Sequence, residues 1–219
     1  MTAPLVVSAL AKSFGRHAVL AGIDLEVQSG ETVALVGPNG SGKSTLLGCI
    51  CGTVIPDAGS IHVAGHDLFR EPILARHGLR YLPQEVEVPD GLTGREFLAF
   101  YADVYGVPEA AAEAEARSGL GEAIERLAST YSVGMRRRLG FAAALAGLVP
   151  PRAAGPRLLV LDEPFAGVDD DGRALMRDLL GQARRHGAGL LVAAHERDLR
   201  ELEAFSPRLV TLGQDRPKG

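Results

Sequence analysis

Lysine is nearly missing from this chain: Lys12, Lys43 and Lys218 stand among 23 Lys+Arg, and Asp+Glu reach 27. The formal charge of -4 and pI near 5.9 argue against a sequence-independent grip on nucleic acid, so no direct nucleic-acid partner is expected. Cysteine is also scarce. Cys49 and Cys51 lie two apart in a segment that reads as helix, where their side chains diverge, which leaves them as small core fillers and not a disulfide or metal pair. Long apolar runs are absent, since the longest, 139–149, is too short to cross a bilayer. No basic-then-apolar leader opens the chain, so a cytosolic location is expected. With 219 residues the chain has room for one domain with an inserted lobe and not for two complete units.

What is present is concentrated at Gly37-Pro38-Asn39-Gly40-Ser41-Gly42-Lys43-Ser44-Thr45, where glycine, lysine and hydroxyl residues have the spacing of a backbone loop that wraps phosphates. Elsewhere the chain takes arginine for its positive charge, so the lysine here is not compositional. A compact ammonium on a flexible stem reaches between phosphates where a planar guanidinium needs more room. The run Glu31 to Val36 before the loop reads as a buried parallel strand, and Ser44 to Ile50 after it reads as helix. A helix start carries unpaired N–H groups and partial positive charge, both of which a phosphate satisfies.

Strands are expected at Leu5–Ser8, Gly22–Val27 and Ile61–Val63, with a turn at Pro56–Gly59. From about Glu85 to Tyr131 the pattern turns helical. Thr93 and Glu96 make a capping box before Phe97–Val104, Val107-Pro108 breaks the helix, and the Ala/Glu-rich run 109–117 reads as a solvated helix without a site. The last third alternates: strand 157–161, helix Arg173–His186, strand Leu190–Ala194, helix Glu196–Ala204, strand Leu209–Leu212. That alternation implies a mostly parallel sheet covered on both faces. The proline-rich segment 150–156 reads as a rigid connection and 213–219 as a frayed tail.

Strand 157–161 delivers Asp162 and Glu163 at its carboxyl end, where parallel sheets present ligands. Such a pair otherwise caps a helix or meets arginine. Beside the glycine loop the two carboxylates divide the labour of phosphate cleavage: Asp162 holds Mg2+ with the Ser44 hydroxyl, and Glu163 polarises water as general base.

Five further segments follow the order and spacing of the ATP-binding cassette ATPases, the nucleotide-hydrolysing subunits of ABC transporters, and nearly the whole chain resembles them. Tyr81-Leu-Pro-Gln84 resembles the Q-loop and Tyr131-Ser-Val-Gly134-Met the signature. Leu159-Val-Leu-Asp162-Glu163-Pro resembles Walker B, Gly167-Val-Asp169 the D-loop, and Ala194-His195 the switch histidine. The resemblance implies an α/β P-loop NTPase core of residues 1–84 and 136–219, with an N-terminal antiparallel β subdomain and an inserted α-helical subdomain, 85–135. It implies that Gln84 touches Mg2+ or the attacking water, that His195 orients water at the γ-phosphate, and that Phe14 stacks adenine. Asn39, Gly40, Ser41, Gly42, Lys43, Ser44 and Thr45, with Gly37, then cradle ATP.

Ser132 and Gly134 survive in a signature that departs from Leu-Ser-Gly-Gly-Gln at Tyr131, Val133 and Met135, and Tyr-Ser-x-Gly-Met-Arg resembles a variant among export ATPases. In the family this serine and glycine cap the γ-phosphate held by a second subunit. Partners implied are therefore a second ATPase subunit, as homodimer or heterodimer, and a separate transmembrane permease that holds this chain on the cytoplasmic face. The arginines 136–138 are expected to meet acids, and Asp169–Asp171 to cap the following helix. The main rival is a cassette ATPase acting on DNA or ribosomes. A P-loop GTPase is disfavoured because no lysine follows an asparagine as in Asn-Lys-x-Asp, and no acceptor site marks a small-molecule kinase.

Overall fold

The computed structural model describes residues 3–148 and 157–213, so the proline-rich connection and all of the tail after Gly213 lie outside the described residues. A five-stranded sheet forms the centre. It contains β3 (Thr32–Val36), β6 (Leu79–Leu82), β7 (Leu158–Asp162), β8 (Gly189–Ala193) and β9 (Arg208–Thr211), in the order β6-β7-β8-β3-β9, with every pair parallel. Alternate side chains divide between two cores. Val33, Leu35, Leu158, Val160, Leu191 and Ala193 face one, and Ala34, Leu159, Leu161, Leu190 and Val192 face the other. The strands read as unbroken apolar runs because both faces are covered.

The first core is closed by α1 (Lys43–Cys51) and by an antiparallel sheet. That sheet comprises β1 (Leu5–Phe14), β2 (His17–Val27), β4 (Ala58–Val63) and β5 (His66–Asp67) in the order β2-β1-β4-β5. β1 and β2 run longer than their alternating segments suggest, because β1 carries a bulge. Ala9 there has a left-handed φ of 48° and donates its N–H to Asp24 Oδ1 at 2.8 Å, which restores pairing beyond the irregularity. Cys49 and Cys51 are buried free thiols in α1. The short helix α2 (Pro72–His77), which the sequence pattern did not reveal, leads into β6.

The second core is covered by α5 (Val133–Ala144) and α6 (Asp170–Arg185). Between β6 and α5 lies the helical insertion: α3 (Gly94–Val104), α4 (Ala111–Arg117) and three short 3-10 turns. The capping box forms as read, with Glu96 N–H on Thr93 Oγ1 at 3.2 Å and Thr93 N–H on Glu96 Oε2 at 2.8 Å. Two expectations change. The Ala/Glu-rich run is not wholly solvated, because Ala110, Ala114 and Ser118 recur at four-residue spacing and are buried. The segment after β8 is two 3-10 turns, Glu196–Glu201 and Glu203–Phe205, not one helix.

α5 belongs to both halves: Leu139, Ala142 and Ala143 pack with Phe97, Leu120 and Ile124 of the insertion, while Phe141, Ala144 and Leu145 pack on the sheet. A second tie is the Arg80 guanidinium of β6, stacked 4.0 Å over the ring of Tyr105 beyond α3. Arg80 is 3% exposed, and its Nη1 donates to the Leu79 carbonyl at 2.9 Å. Its Nε has no hydrogen-bond partner among the described residues, and burial lowers the guanidinium to about 10.

Removing a cation from water costs several kcal/mol, about what a desolvated cation–π contact of ~2 kcal/mol and a charged hydrogen bond of ~1.5–3 kcal/mol return. Arg80→Met is therefore expected to change unfolding stability by less than about 1 kcal/mol. Tyr105→Ala strips the aromatic lid from a cation left buried and is expected to cost about 3 kcal/mol. Urea unfolding of both variants checks the balance; a large loss in Arg80→Met would show the stack outweighing desolvation.

Candidate active site

β3 ends at Val36 and the chain turns through the glycine loop into α1. Gly37 has φ 149°, and a Cβ there would sit 2.6 Å from the Leu212 carbonyl and 2.8 Å from Ser41 Oγ. Close approach of the strand beyond the sheet edge therefore demands glycine. Gly42, the N-cap of α1, has φ 101° and offers no side-chain cap, and the first turn holds no acid. α3, α5 and α6 are instead capped by Thr93, Ser132 and Asp169. The first α1 hydrogen bond is Leu46 N–H to the Gly42 carbonyl at 2.8 Å, so the N–H groups of Lys43, Ser44 and Thr45 lack helical acceptors. Lys43 is 7% exposed, and its Nζ donates to the carbonyls of Gly37 at 2.6 Å and Pro38 at 3.2 Å. An uncapped helix start with an ammonium folded beside it is built for an anion.

The acids sit at the end of β7. Asp162 is 4% exposed, and the Ser44 hydroxyl is close enough to favour its ionised carboxylate, which brings together the two residues the sequence paired. Burial and the adjacent Glu163 charge raise the Asp162 carboxyl above its ordinary value, while the Ser44 hydroxyl, Arg137 and Lys43 oppose the rise. Glu163 has φ 47°, left-handed backbone that a non-glycine residue seldom adopts, and its N–H bonds the Ala193 carbonyl of β8 at 2.9 Å. Both its carboxylate oxygens are engaged. Gln84 Nε2 donates to Oε2 at 3.3 Å, and His195 Nε2 lies 2.8 Å from Oε1. Gln84 therefore reaches across to the strand end and is not a turn cap.

These side chains and the loop line one cleft of about 470 Å³, containing Asn39, Gly40, Gly42, Lys43, Ser44, Thr45, Gln84, Glu163 and His195. Phe14 forms a wall of the same cleft and is 54% exposed, so it is not a core aromatic. His17 and Val19 of β2 line it too, and the sequence reading missed them. Their signal was the short turn that folds β2 back beside Phe14. Ser41 is buried under the loop with its Oγ unbonded among the described residues.

Ser132 and Gly134 are not brought to this cleft. Ser132 starts α5, its Oγ accepting the Met135 N–H at 3.2 Å. Gly134 is glycine for a local reason: a Cβ would lie 2.5 Å from the Gly167 carbonyl. Val133 is 61% exposed beside Gly167, and Asp169 caps α6 through the Gly172 N–H at 3.0 Å. Within this chain Arg137 and Arg138 hydrogen-bond carbonyls and not acids of the insertion. Arg137 is 4% exposed and donates to the carbonyls of Pro83 at 2.7 Å and Asp162 at 3.5 Å, and Arg138 donates to the Gly119 carbonyl at 3.3 Å.

The donor set fits a nucleotide with its cation. The α1 start and Lys43 suit phosphates, and Phe14 suits a planar base. Asp162 and Ser44 supply hard oxygens for Mg2+, and the described residues hold no cluster of three His, Cys, Asp or Glu.

Comparisons with known proteins agree with this arrangement. A family model described as "ABC transporter" matches residues 20–166. The doxorubicin resistance ATP-binding protein DrrA of Mycobacterium tuberculosis is 32% identical over 215 residues, covering 95% of this chain and 62% of that protein. The linearmycin resistance ATP-binding protein LnrL of Bacillus subtilis is 31% identical over 208 residues, covering 93% and 64%. The chain thus spans less than two thirds of the length of these relatives. A solved structure titled "Structure of ATP binding subunit of ABC transporter" superposes with a TM-score of 0.85 at 29% identity, over 100% of this chain and 89% of that one.

The raised Asp162 carboxyl has a testable consequence. Its proton is held more tightly in the folded state, so its contribution to stability is greatest below the ordinary value of 3.8 and declines as pH rises to the raised value. Above that, the buried charge is a standing cost. Asp162→Asn without divalent cation is therefore expected to melt higher than wild type at neutral pH and to flatten the acid limb of the profile, read by thermal melting in chelator from about pH 4 to about pH 8. A lower melting temperature would mean that the Ser44 hydroxyl and the nearby cations outweigh burial.

Proposed function

Because the chain belongs to the ABC transporter family, as an ATP-binding subunit, we propose that it binds and hydrolyses ATP to power a separate membrane permease, in the export direction. The observation that carries the hydrolytic part is the Glu163 carboxylate held by Gln84 and His195 in the cleft that Lys43 lines. Relatives named for doxorubicin and linearmycin resistance support export. Among the described residues no helix is long and apolar enough to cross a membrane; the reading assigns the transport path to another chain, and this one to the cytoplasmic face, because the relatives are named as ATP-binding proteins.

In this reading residues 85–135 form the helical subdomain and the remainder the nucleotide-binding core. Lys43, the α1 N–H groups and the loop from Gly37 to Thr45 hold the phosphates, and Phe14 stacks the adenine. Asp162 and Ser44, joined by Gln84, would hold Mg2+, which would supply charge compensation for the phosphates. Glu163 takes a proton from water as the water oxygen attacks the γ-phosphorus and the bond to the ADP oxygen breaks. Gln84 and His195 occupy both carboxylate oxygens at rest. A γ-phosphate oxygen would give the imidazole another partner, so that binding of nucleotide loosens the hold of His195 on the base.

Ser132 and Gly134 lie outside their own cleft, and the reading uses them on the partner's nucleotide in a head-to-tail pair of identical or homologous subunits. ATP then closes the pair and hydrolysis releases it, because ADP lacks the phosphate that bridges the seam.

Glu163→Gln is expected to keep ATP affinity while turnover falls at least about 100-fold, and to run as a dimer on size exclusion with Mg-ATP; unchanged hydrolysis in this variant would end the general-base assignment. Ser132→Arg is expected to abolish turnover without loss of ATP binding to the monomer, measured by equilibrium titration. Full activity there would mean that one subunit completes its site alone.

A further inference from the structure

Arg137 does a task that no sequence motif announced. It is the middle arginine of three, it lies just over one turn past the α5 N-cap, and it is 4% exposed. Its Nη1 is 2.7 Å from the Pro83 carbonyl and 3.5 Å from the Asp162 carbonyl. A guanidinium buried this deeply is expected to sit against a carboxylate. Its hydrogen bonds go to backbone, at the two residues directly before Gln84 and Glu163, while the charges of Asp162, Glu163 and Glu85 offset part of its desolvation.

The peptide group makes that choice consequential. The Pro83 carbonyl lies in one rigid plane with the Gln84 nitrogen, and the Asp162 carbonyl in one plane with the Glu163 nitrogen. The second plane is held from its other side as well, since Glu163 N–H bonds the Ala193 carbonyl at 2.9 Å. A plane held at both edges keeps Glu163 at φ 47°, from which it meets His195 and Gln84. Meanwhile α5 is a continuous helix from Val133 to Ala144, so Arg137 and the Ser132 cap move together.

We propose that Arg137 is a positioning residue whose guanidinium ties α5 to the peptide planes before Gln84 and Glu163, so that displacement of the α5 start reorients the water-activating carboxylate of the same subunit. The proposal rests on the ATPase reading above. Arg136 and Arg138 have no such contacts, being half-exposed or bonded to Gly119 of the insertion.

The test is a double-mutant cycle on the full chain with Mg-ATP, with turnover at steady state and phosphate release in single turnover. Arg137→Met keeps volume and removes the donors. It is expected to lower kcat about tenfold or more with ATP KM within about twofold of wild type, a size typical of a slightly misplaced catalytic group. Arg137→Lys, with one donor and the charge, is expected to fall between. Placed on Glu163→Gln, Arg137→Met should lower the residual single-turnover rate no further, because the group it positions is gone. A wild-type kcat in Arg137→Met, or losses that multiply across the pair, overturns the proposal. Should the methionine variant fail to fold, Arg137→Lys takes its place in the same cycle, and a wild-type rate in it is equally fatal. Absent hydrolysis by the wild-type chain, or full hydrolysis by Glu163→Gln, defeats the ATPase reading and this proposal with it; both are visible with Arg137 intact.

Discussion

Parallel register is the constraint on which the site depends. Leu82 pairs with Leu161, Asp162 with Ala193, and Leu35 with Ala193, so β6, β7, β8 and β3 end at nearly the same level. Two residues past those level ends lie Gln84, His195 and Gly37, and Glu163 follows Asp162 directly. Side chains separated by up to 79 residues in sequence meet within hydrogen-bond distance because the strands share a direction and a finish line. A slip of one residue in β3, β7 or β8 would move each buried side chain into the opposite core, so the close packing of the two cores holds the level of this edge.

Around that edge the chain accepts local costs. Glu163 sits in left-handed backbone, Asp162 is buried with a second carboxyl beside it, and Arg137 is buried with its hydrogen bonds on carbonyls. Each is unfavourable by roughly 1–3 kcal/mol if isolated, and the surrounding sheet and helices over-determine the geometry enough to keep them. The rest of β7 and β8 is wholly apolar, so within these two strands the costs gather at one end, while Ala9, Ala64 and Ser206 adopt left-handed backbone elsewhere.

α5 joins these local features to the rest of the molecule. One of its faces packs on the parallel sheet and another on the insertion, and its start is packed so closely on Gly167 that only glycine fits at 134. Motion of the insertion relative to the core would therefore pass through this helix. The Arg80–Tyr105 stack is a second connection between the same two bodies, on the strand that leads to Gln84.

Sequence alone determined the strand–loop–helix around Lys43, the Thr93 capping box and the strands and long helix after 157, because each is written in neighbouring residues or in a period of two or of about three and a half. The sequence did not disclose α2, the 3-10 turns after β8, His17 and Val19 on the cleft wall, or the carbonyl partners of Arg137. Those are settled by what lies across space. A guanidinium takes whichever acceptor the packing leaves beside it, a residue on the far strand of a hairpin faces a cleft only once the hairpin is placed, and Glu163 adopts its strained backbone only because β8 and α5 hold the peptide before it.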